Sequence, residues 1–163
     1  MKILNVVYFT HLGSTGRFVN RHLAPVLTDS PEPYQGVTTY RIDSPAPHQP
    51  INPNKPPTFS AMHAETNDFL LVFPCYGRNN PDTRQLEDMV PMPVREFISR
   101  VEKEGLGRIV GGVVCGNRTF GSDFCNVDGQ FDYPVLGQVE LAGSRYDAED
   151  ISARLSHPAI GKN

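Results

Sequence analysis

The stretch Phe69-Leu70-Leu71-Val72-Phe73, framed by Asp68 and Pro74, is apolar at every position, and it constrains the chain more than any other segment. A strand with one face in water alternates apolar and polar residues. A run apolar on both sides of the pleat needs cover on both faces. Asp68–Pro74 therefore reads as a strand in a sheet sandwiched between two layers. Ile109-Val110-Gly111-Gly112-Val113-Val114-Cys115 is a second such run, within a strand over Arg108–Cys115 that stops at Gly116-Asn117. Lys2–Phe9 reads as the first strand, Pro134–Leu141 as the fifth, and the weakly alternating Gly36–Ile42 as a strand suited to an edge.

Helical periods fall between these strands. Phe18, Val19, Leu23 and Val26 share one face of a helix from Arg17 to about Leu27, with Pro25 kinking it or marking its last turn. Val94, Phe97, Ile98 and Val101 predict a helix from about Met92 to Glu102, with Pro93 in its first turn and Gly105 or Gly107 ending it. Asp147–Leu155 reads as a last short helix. The order predicts an α/β fold, a doubly wound five-stranded parallel sheet with helices on both faces, filling residues 1–163 as one domain. Residues 43–60 contain Pro45, Pro47, Pro50, Pro53, Pro56 and Pro57, which excludes a helix or central strand. This segment reads as an insertion, either an ordered excursion or a flexible one, running across the surface.

Charge and composition exclude several partners. Fifteen Lys plus Arg stand against 18 Asp plus Glu, a net charge of −3, where a polyanion binder would be basic; nucleic acid is not expected. No apolar run approaches the roughly 20 residues of a membrane span. The first residues form a strand pattern too short for a signal peptide, so a cytoplasmic protein is expected. Cys75, Cys115 and Cys125 are odd in number and form no C-x-x-C pair, which argues against a disulfide framework or zinc site. The five histidines show no metal-ligand spacing.

Three loops at strand ends carry the chemistry, since open α/β sheets bind ligands at the carboxyl ends of their strands. The first, Thr10-His11-Leu12-Gly13-Ser14-Thr15-Gly16, precedes a helix. Free N–H groups there, with Ser and Thr hydroxyls, can hold a phosphate, or they can serve as an ordinary helix cap. It is neither a Walker loop nor G-x-G-x-x-G. The second, Cys75-Tyr76-Gly77-Arg78-Asn79-Asn80, offers a ring for stacking and a glycine for close approach. The third, Gly116-Asn117-Arg118-Thr119-Phe120-Gly121-Ser122-Asp123-Phe124-Cys125, mixes hydrogen-bonding, charged and flat apolar groups. A phosphate cradle beside two aromatic-bearing loops suits FMN better than a nucleoside triphosphate, which would need a lysine and a metal-binding carboxylate.

The chain resembles the NrdI proteins, small flavodoxin-like flavoproteins that serve class Ib ribonucleotide reductase. The resemblance lies in Tyr8-Phe9, Gly13-Ser14-Thr15, Arg17-Phe18-Val19, Tyr76-Gly77 and Val94-x-x-Phe97-Ile98. It is strongest in Gly111 to Gly121, with its Gly-Asn-Arg-x-Phe-Gly run, and closes with Val139-Glu140-Leu141-Ala142-Gly143. It implies a flavodoxin-like fold and one non-covalent FMN. The phosphate would sit on Thr10, His11, Leu12, Gly13, Ser14 and Thr15. The ring would lie between Tyr76, Gly77 and Arg78 on one side and Asn117, Arg118, Thr119, Phe120, Gly121 and Phe124 on the other. It further implies an unidentified flavin reductant, dioxygen as substrate, and delivery of superoxide or peroxide to the dimanganese small subunit of the reductase.

Leu12 departs from the family in lacking a hydroxyl. The loop after Gly77 is longer and less glycine-rich, Asn126–Tyr133 looks too short for a full helix, and the proline-rich insertion has no counterpart. Arg78 and Arg118, opposed by Asp123 and the more distant Asp82, would stabilise a reduced, anionic flavin. An electron-carrying flavodoxin needs the opposite, acidic surroundings. Such a carrier and a cofactor-free α/β interaction module are the alternatives. No side chain reads as a general base or nucleophile, so any catalysis would be the flavin's.

Overall fold

The computed structural model describes residues 2–79, 81–83, 86–87, 89–117, 127 and 129–156, with backbone alone at 78, 79, 86 and 87. Its strands are β1 (Ile3–Tyr8), β2 (Gly36–Arg41), β3 (Asn67–Pro74), β4 (Arg78–Asn79), β5 (Leu86–Glu87), β6 (Arg108–Gly116) and β7 (Val135–Glu140). Five of them form one parallel sheet in the order β2-β1-β3-β6-β7, while β4 and β5 pair antiparallel as a small hairpin. The chain runs outward from β1 to β2, then crosses back to β3 and on to β6 and β7. This reversal leaves a crevice at the carboxyl ends of β1 and β3.

Both faces of the sheet are covered, as the apolar runs require. Leu4, Val6, Tyr8, Leu70, Val72, Val113 and Cys115 point to one face, where Phe18, Val19, Leu23, Leu27, Ala148, Ile151 and Leu155 pack on them. Val7, Phe9, Phe69, Leu71, Phe73, Ile109 and Val114 point to the other, beneath Val94, Phe97 and Val101. β1 and β3 divide their side chains by the period of two, and in β6 a bulge after Ile109 shifts the alternation by one residue. Cys115 packs on the first face and Cys75 against the second.

The first helical stretch begins earlier than its apolar period, at Ser14. It runs as α1 (Ser14–Phe18), a π-helical turn (Val19–Leu23) and α2 (Ala24–Asp29). Pro25 neither ends nor breaks it. A proline ring collides with the carbonyl four residues back, and the wider π turn lies where that collision would fall. α3 (Met92–Glu104) ends at Gly105, whose φ of 61° lets the Leu106 N–H reach the Val101 carbonyl at 3.2 Å. α4 (Arg145–Ser156) starts with a reciprocal cap. The Asp147 carboxylate accepts from the Ser144 N–H at 2.8 Å, and the Ser144 hydroxyl accepts from the Asp147 N–H at 3.3 Å.

The proline-rich segment is ordered cover for the second face, where only one long helix, α3, packs among the described residues. Phe59 stands edge-on to Tyr40, Phe69 and Phe97 at 5.4, 5.0 and 5.9 Å between ring centres, and Ile51 is buried. Backbone groups that prolines leave without a ladder are tied to α3 instead. The Met92 N–H donates to the Pro47 carbonyl at 2.8 Å, and the Arg100 guanidinium to the Pro57 carbonyl at 3.0 Å. None of the described residues between β6 and β7 is helical; of the stretch Asn126–Tyr133, residues 126 and 128 lie outside the described residues. β2 takes the edge position.

At the opposite end of the sheet from the crevice, Asp68 is 1 % exposed. Its carboxylate holds Lys2 at 3.3 Å and Arg108 at 2.9 Å, and accepts from the Tyr34 phenol at 2.9 Å. Burial, then the Asp68 charge and hydrogen bond, push the Tyr34 phenol far above its ordinary range. The one charge inside the central strand is thus fully partnered.

Candidate functional site

Three strand ends meet in one cleft of about 290 Å³. The loop after β1 contributes Thr10, His11, Leu12, Ser14 and Thr15; the end of β3 contributes Pro74, Cys75 and Tyr76; β6 contributes Cys115, Gly116 and Asn117; Leu141 follows β7. Of the site residues read from the sequence, Thr10, His11, Leu12, Ser14, Thr15, Tyr76 and Asn117 line this cleft. Gly13 forms the bend between them, and the exposed Gly77 follows Tyr76. Arg78 has its backbone in β4. Arg118, Thr119, Phe120, Gly121 and Phe124 lie outside the described residues, as do Asp123 and Cys125.

The β1 loop owes its shape to Gly13, at φ 97° and ψ −16°. A residue with a β-carbon is strained there, and that carbon would lie 3.0 Å from the Arg17 guanidinium. The bend starts the helix abruptly: the first helical bond runs from the Arg17 N–H to the Gly13 carbonyl at 2.9 Å. The N–H groups of Ser14, Thr15 and Gly16 precede any carbonyl that could accept them within the helix. No acidic residue stands in the first turn to take their place.

Thr10 is the telling side chain. It is 7 % exposed, and its hydroxyl has no hydrogen-bond partner. Buried hydroxyls are seldom left so, because each forgoes water at a cost of about 1–3 kcal/mol. An oxygen-rich anion in the cleft would satisfy it. Across the cleft, the His11 and Tyr76 rings meet edge to face at 5.7 Å and 88°, joining the loop after β1 to the end of β3. Burial raises the Tyr76 phenol above its ordinary value, so it is neutral and a donor at physiological pH. No carboxylate lines the cleft among the described residues.

Pro74, Cys75, Cys115, Gly116 and Leu141 are cleft residues that the sequence reading did not assign. Leu141 is the instructive one. It reads as the last position of the fifth strand, yet its φ is 53° and half its surface is exposed. Its N–H donates to the Gly116 carbonyl at 2.8 Å, which holds it beside the β6 end. The rule that ligands sit at strand ends, applied to β7 as well as to its neighbours, would have found it.

A family model described as NrdI Flavodoxin like matches residues 6–153. The chain belongs to the NrdI family. Protein NrdI of Rhodococcus jostii (strain RHA1) is 29 % identical over 119 residues, 71 % of each chain. Protein NrdI of Rhodococcus erythropolis (strain PR4 / NBRC 100887) is 31 % identical over 87 residues, 51 % of this chain and 54 % of that one. Among solved structures, a short-chain flavodoxin associated with a non-canonical PDU bacterial microcompartment superposes with a TM-score of 0.59. It covers 99 % of this chain and 100 % of its own at 15 % identity, a likeness of fold.

NrdI proteins bind FMN and are associated with ribonucleotide reductase. The residues present fit that cofactor. The unsatisfied Thr10 hydroxyl, the helix-start N–H groups and the Ser14 and Thr15 side chains form an oxygen-seeking cradle, and the Tyr76 ring lines the same cleft. Among the described residues no cluster of His, Cys, Asp or Glu could hold a metal, and no helix is long and apolar enough to cross a membrane.

Proposed function

We propose that this protein holds one FMN in the cleft between β1, β3 and β6 and serves as the oxidant supply of a class Ib ribonucleotide reductase, in the cytoplasm. Bound FMN would supply the redox chemistry, the reduction of dioxygen to superoxide or peroxide with electrons from an unidentified reductant. The chain's own residues bind and bias. Thr10, Ser14, Thr15 and the helix-start N–H groups take the phosphate, while Tyr76, Gly77 and Arg78 on one side and Asn117 to Gly121 with Phe124 on the other take the ring. Leu12 and Leu141, exposed at the cleft, offer apolar edges that a docked small subunit would cover.

The observation that carries this reading is the charge of the cleft. No described lining residue is acidic, whereas a low-potential electron carrier needs negative charge beside the ring to disfavour its reduced anion. Arg78 and Arg118 would add positive charge, favouring reduction and drawing superoxide. The test is to reduce the FMN-loaded protein, mix it with oxygen and the dimanganese small subunit, and follow the subunit's radical cofactor by electron paramagnetic resonance. Radical formation that needs this protein supports the proposal; its absence, with flavin fully bound and reduced, counts against it. If Arg118→Glu left both flavin potentials unmoved, the electrostatic part would be wrong.

A further inference from the structure

A second concavity, of about 480 Å³, adjoins the flavin cleft on the other side of the phosphate loop. Arg17 and Arg21 reach it from the first helical stretch and Arg41 from the end of β2, where the parallel register sets Arg41 beside Tyr8. Three arginines brought together by two different elements thus line it, and among the described residues no carboxylate does. Elsewhere in the molecule Arg100, Arg108, Arg145 and Arg154 each hold an acidic side chain. Arg17, Arg21 and Arg41 hold none among the described residues, and Arg17 is engaged only with the Ser14 hydroxyl, at 3.2 Å. In a chain of net charge −3, such a concentration of unpaired positive charge is a local exception.

The inner residues point to what it accepts. Tyr8, 8 % exposed, carries its hydroxyl there and accepts from the Asn20 amide at 3.4 Å, while Thr10, whose hydroxyl is given to the flavin phosphate, forms the wall shared with the flavin cleft. Hydroxyls set this deep are reached by a small oxygen-rich group rather than by a protein surface. Three guanidiniums suit an anion of charge two or more with several acceptor oxygens, which describes phosphate better than a single carboxylate. The volume lies within the range of small-molecule sites. Thr10, His11 and Leu12 line both concavities, so a group seated here would be one loop away from the flavin phosphate.

We propose that Arg17, Arg21 and Arg41 form a second phosphate-binding site, contiguous with the flavin phosphate cradle. The anion is either the second phosphate of a flavin dinucleotide or the phosphate of a separate small molecule bound beside FMN. The cleft stands on its own residues; its adjacency to a flavin rests on the function proposed above.

The test titrates inorganic pyrophosphate into the FMN-loaded protein by calorimetry, and compares FAD with FMN as ligands of the flavin-free protein. Both are repeated with the Arg21→Gln/Arg41→Gln double variant, which alters two exposed side chains outside the flavin cleft. Saturable pyrophosphate binding that weakens by roughly tenfold or more in the double variant, with FMN affinity held within about twofold, is the expected result. FAD binding at least as tightly as FMN, with that advantage lost in the double variant, assigns the site to the dinucleotide. Pyrophosphate binding without an FAD advantage assigns it to a separate ligand. No saturable pyrophosphate binding together with no FAD advantage, or binding undiminished in the double variant, overturns the proposal. So does a double variant that loses only the reductase subunit, which would make the patch a protein-docking face. A chain that takes pyrophosphate but no flavin would sink the flavin reading and leave this site standing.

Discussion

Thr10→Val separates what Thr10 does for the fold from what it does for the ligand. Valine matches the shape of threonine, so the 7 % exposed side chain stays packed and only the hydroxyl is removed. In the ligand-free protein that hydroxyl has no partner, so its removal relieves a desolvation cost of about 1–3 kcal/mol and the variant is more stable. With FMN bound, the same hydroxyl would donate to the phosphate, and a hydrogen bond to a charged group contributes about 1.5–3 kcal/mol. The variant therefore gains stability without ligand and loses roughly ten- to a hundredfold in FMN affinity. Urea unfolding of the flavin-free protein gives the first quantity, and quenching of FMN fluorescence on titration gives the second. A variant that is less stable and binds FMN within about twofold of the parent would refute the assignment of Thr10 to the phosphate.

Other outcomes follow from the packing. Phe59→Ala removes three edge-on ring contacts from the proline-rich segment and should cost about 2 kcal/mol in urea unfolding, with FMN affinity unchanged because Phe59 does not line the cleft. Gly143→Ala places a β-carbon 2.6 Å from Phe18 at a φ of 62°, and overpacking there should cost about 1–3 kcal/mol, read as a lowered melting temperature. Asp68→Ala strands Arg108, Lys2 and the Tyr34 phenol; a loss of about 3–5 kcal/mol is expected in chemical unfolding. Burial, then the hydrogen bond to Glu102, push the Tyr133 phenol from 10.0 up to about 12. A raised folded value means the folded state keeps its proton longer. The Tyr133 contribution is whole below pH 10 and lost on rising toward 12, so ultraviolet titration should show one phenol fewer ionising near 10 than in Tyr133→Phe plus an ordinary tyrosine.

The sheet was legible because its central strands are covered on both sides. Phe69–Phe73 and Ile109–Cys115 are apolar without alternation, and a parallel sheet between two layers is what such runs require. The first helix was legible in its apolar face but not at its start. Ser14, Thr15 and Gly16 are poor helix formers, and they are helical because Gly13 turns left-handed before them. Prolines in residues 43–60 excluded regular structure but could not say where the segment rests; Phe59 and Ile51 anchor it without any period. The β4–β5 hairpin, with two-residue strands, has no pattern to read. Thr10 and Tyr76 were nameable as strand-end residues, yet the orphaned Thr10 hydroxyl is visible only once burial and partners are known. Arg17, Arg21 and Arg41 come together only because β2 lies beside β1.

The central claim, a phosphate-dependent flavin site at the ends of β1, β3 and β6, is tested most directly by titrating the flavin-free protein with FMN and with riboflavin. Riboflavin has the same ring and no phosphate. The account predicts one FMN per chain, bound about a hundredfold or more tightly than riboflavin, since at least two charge-assisted hydrogen bonds to the phosphate would be missing. Equal affinity for the two, or no binding of either, would contradict it.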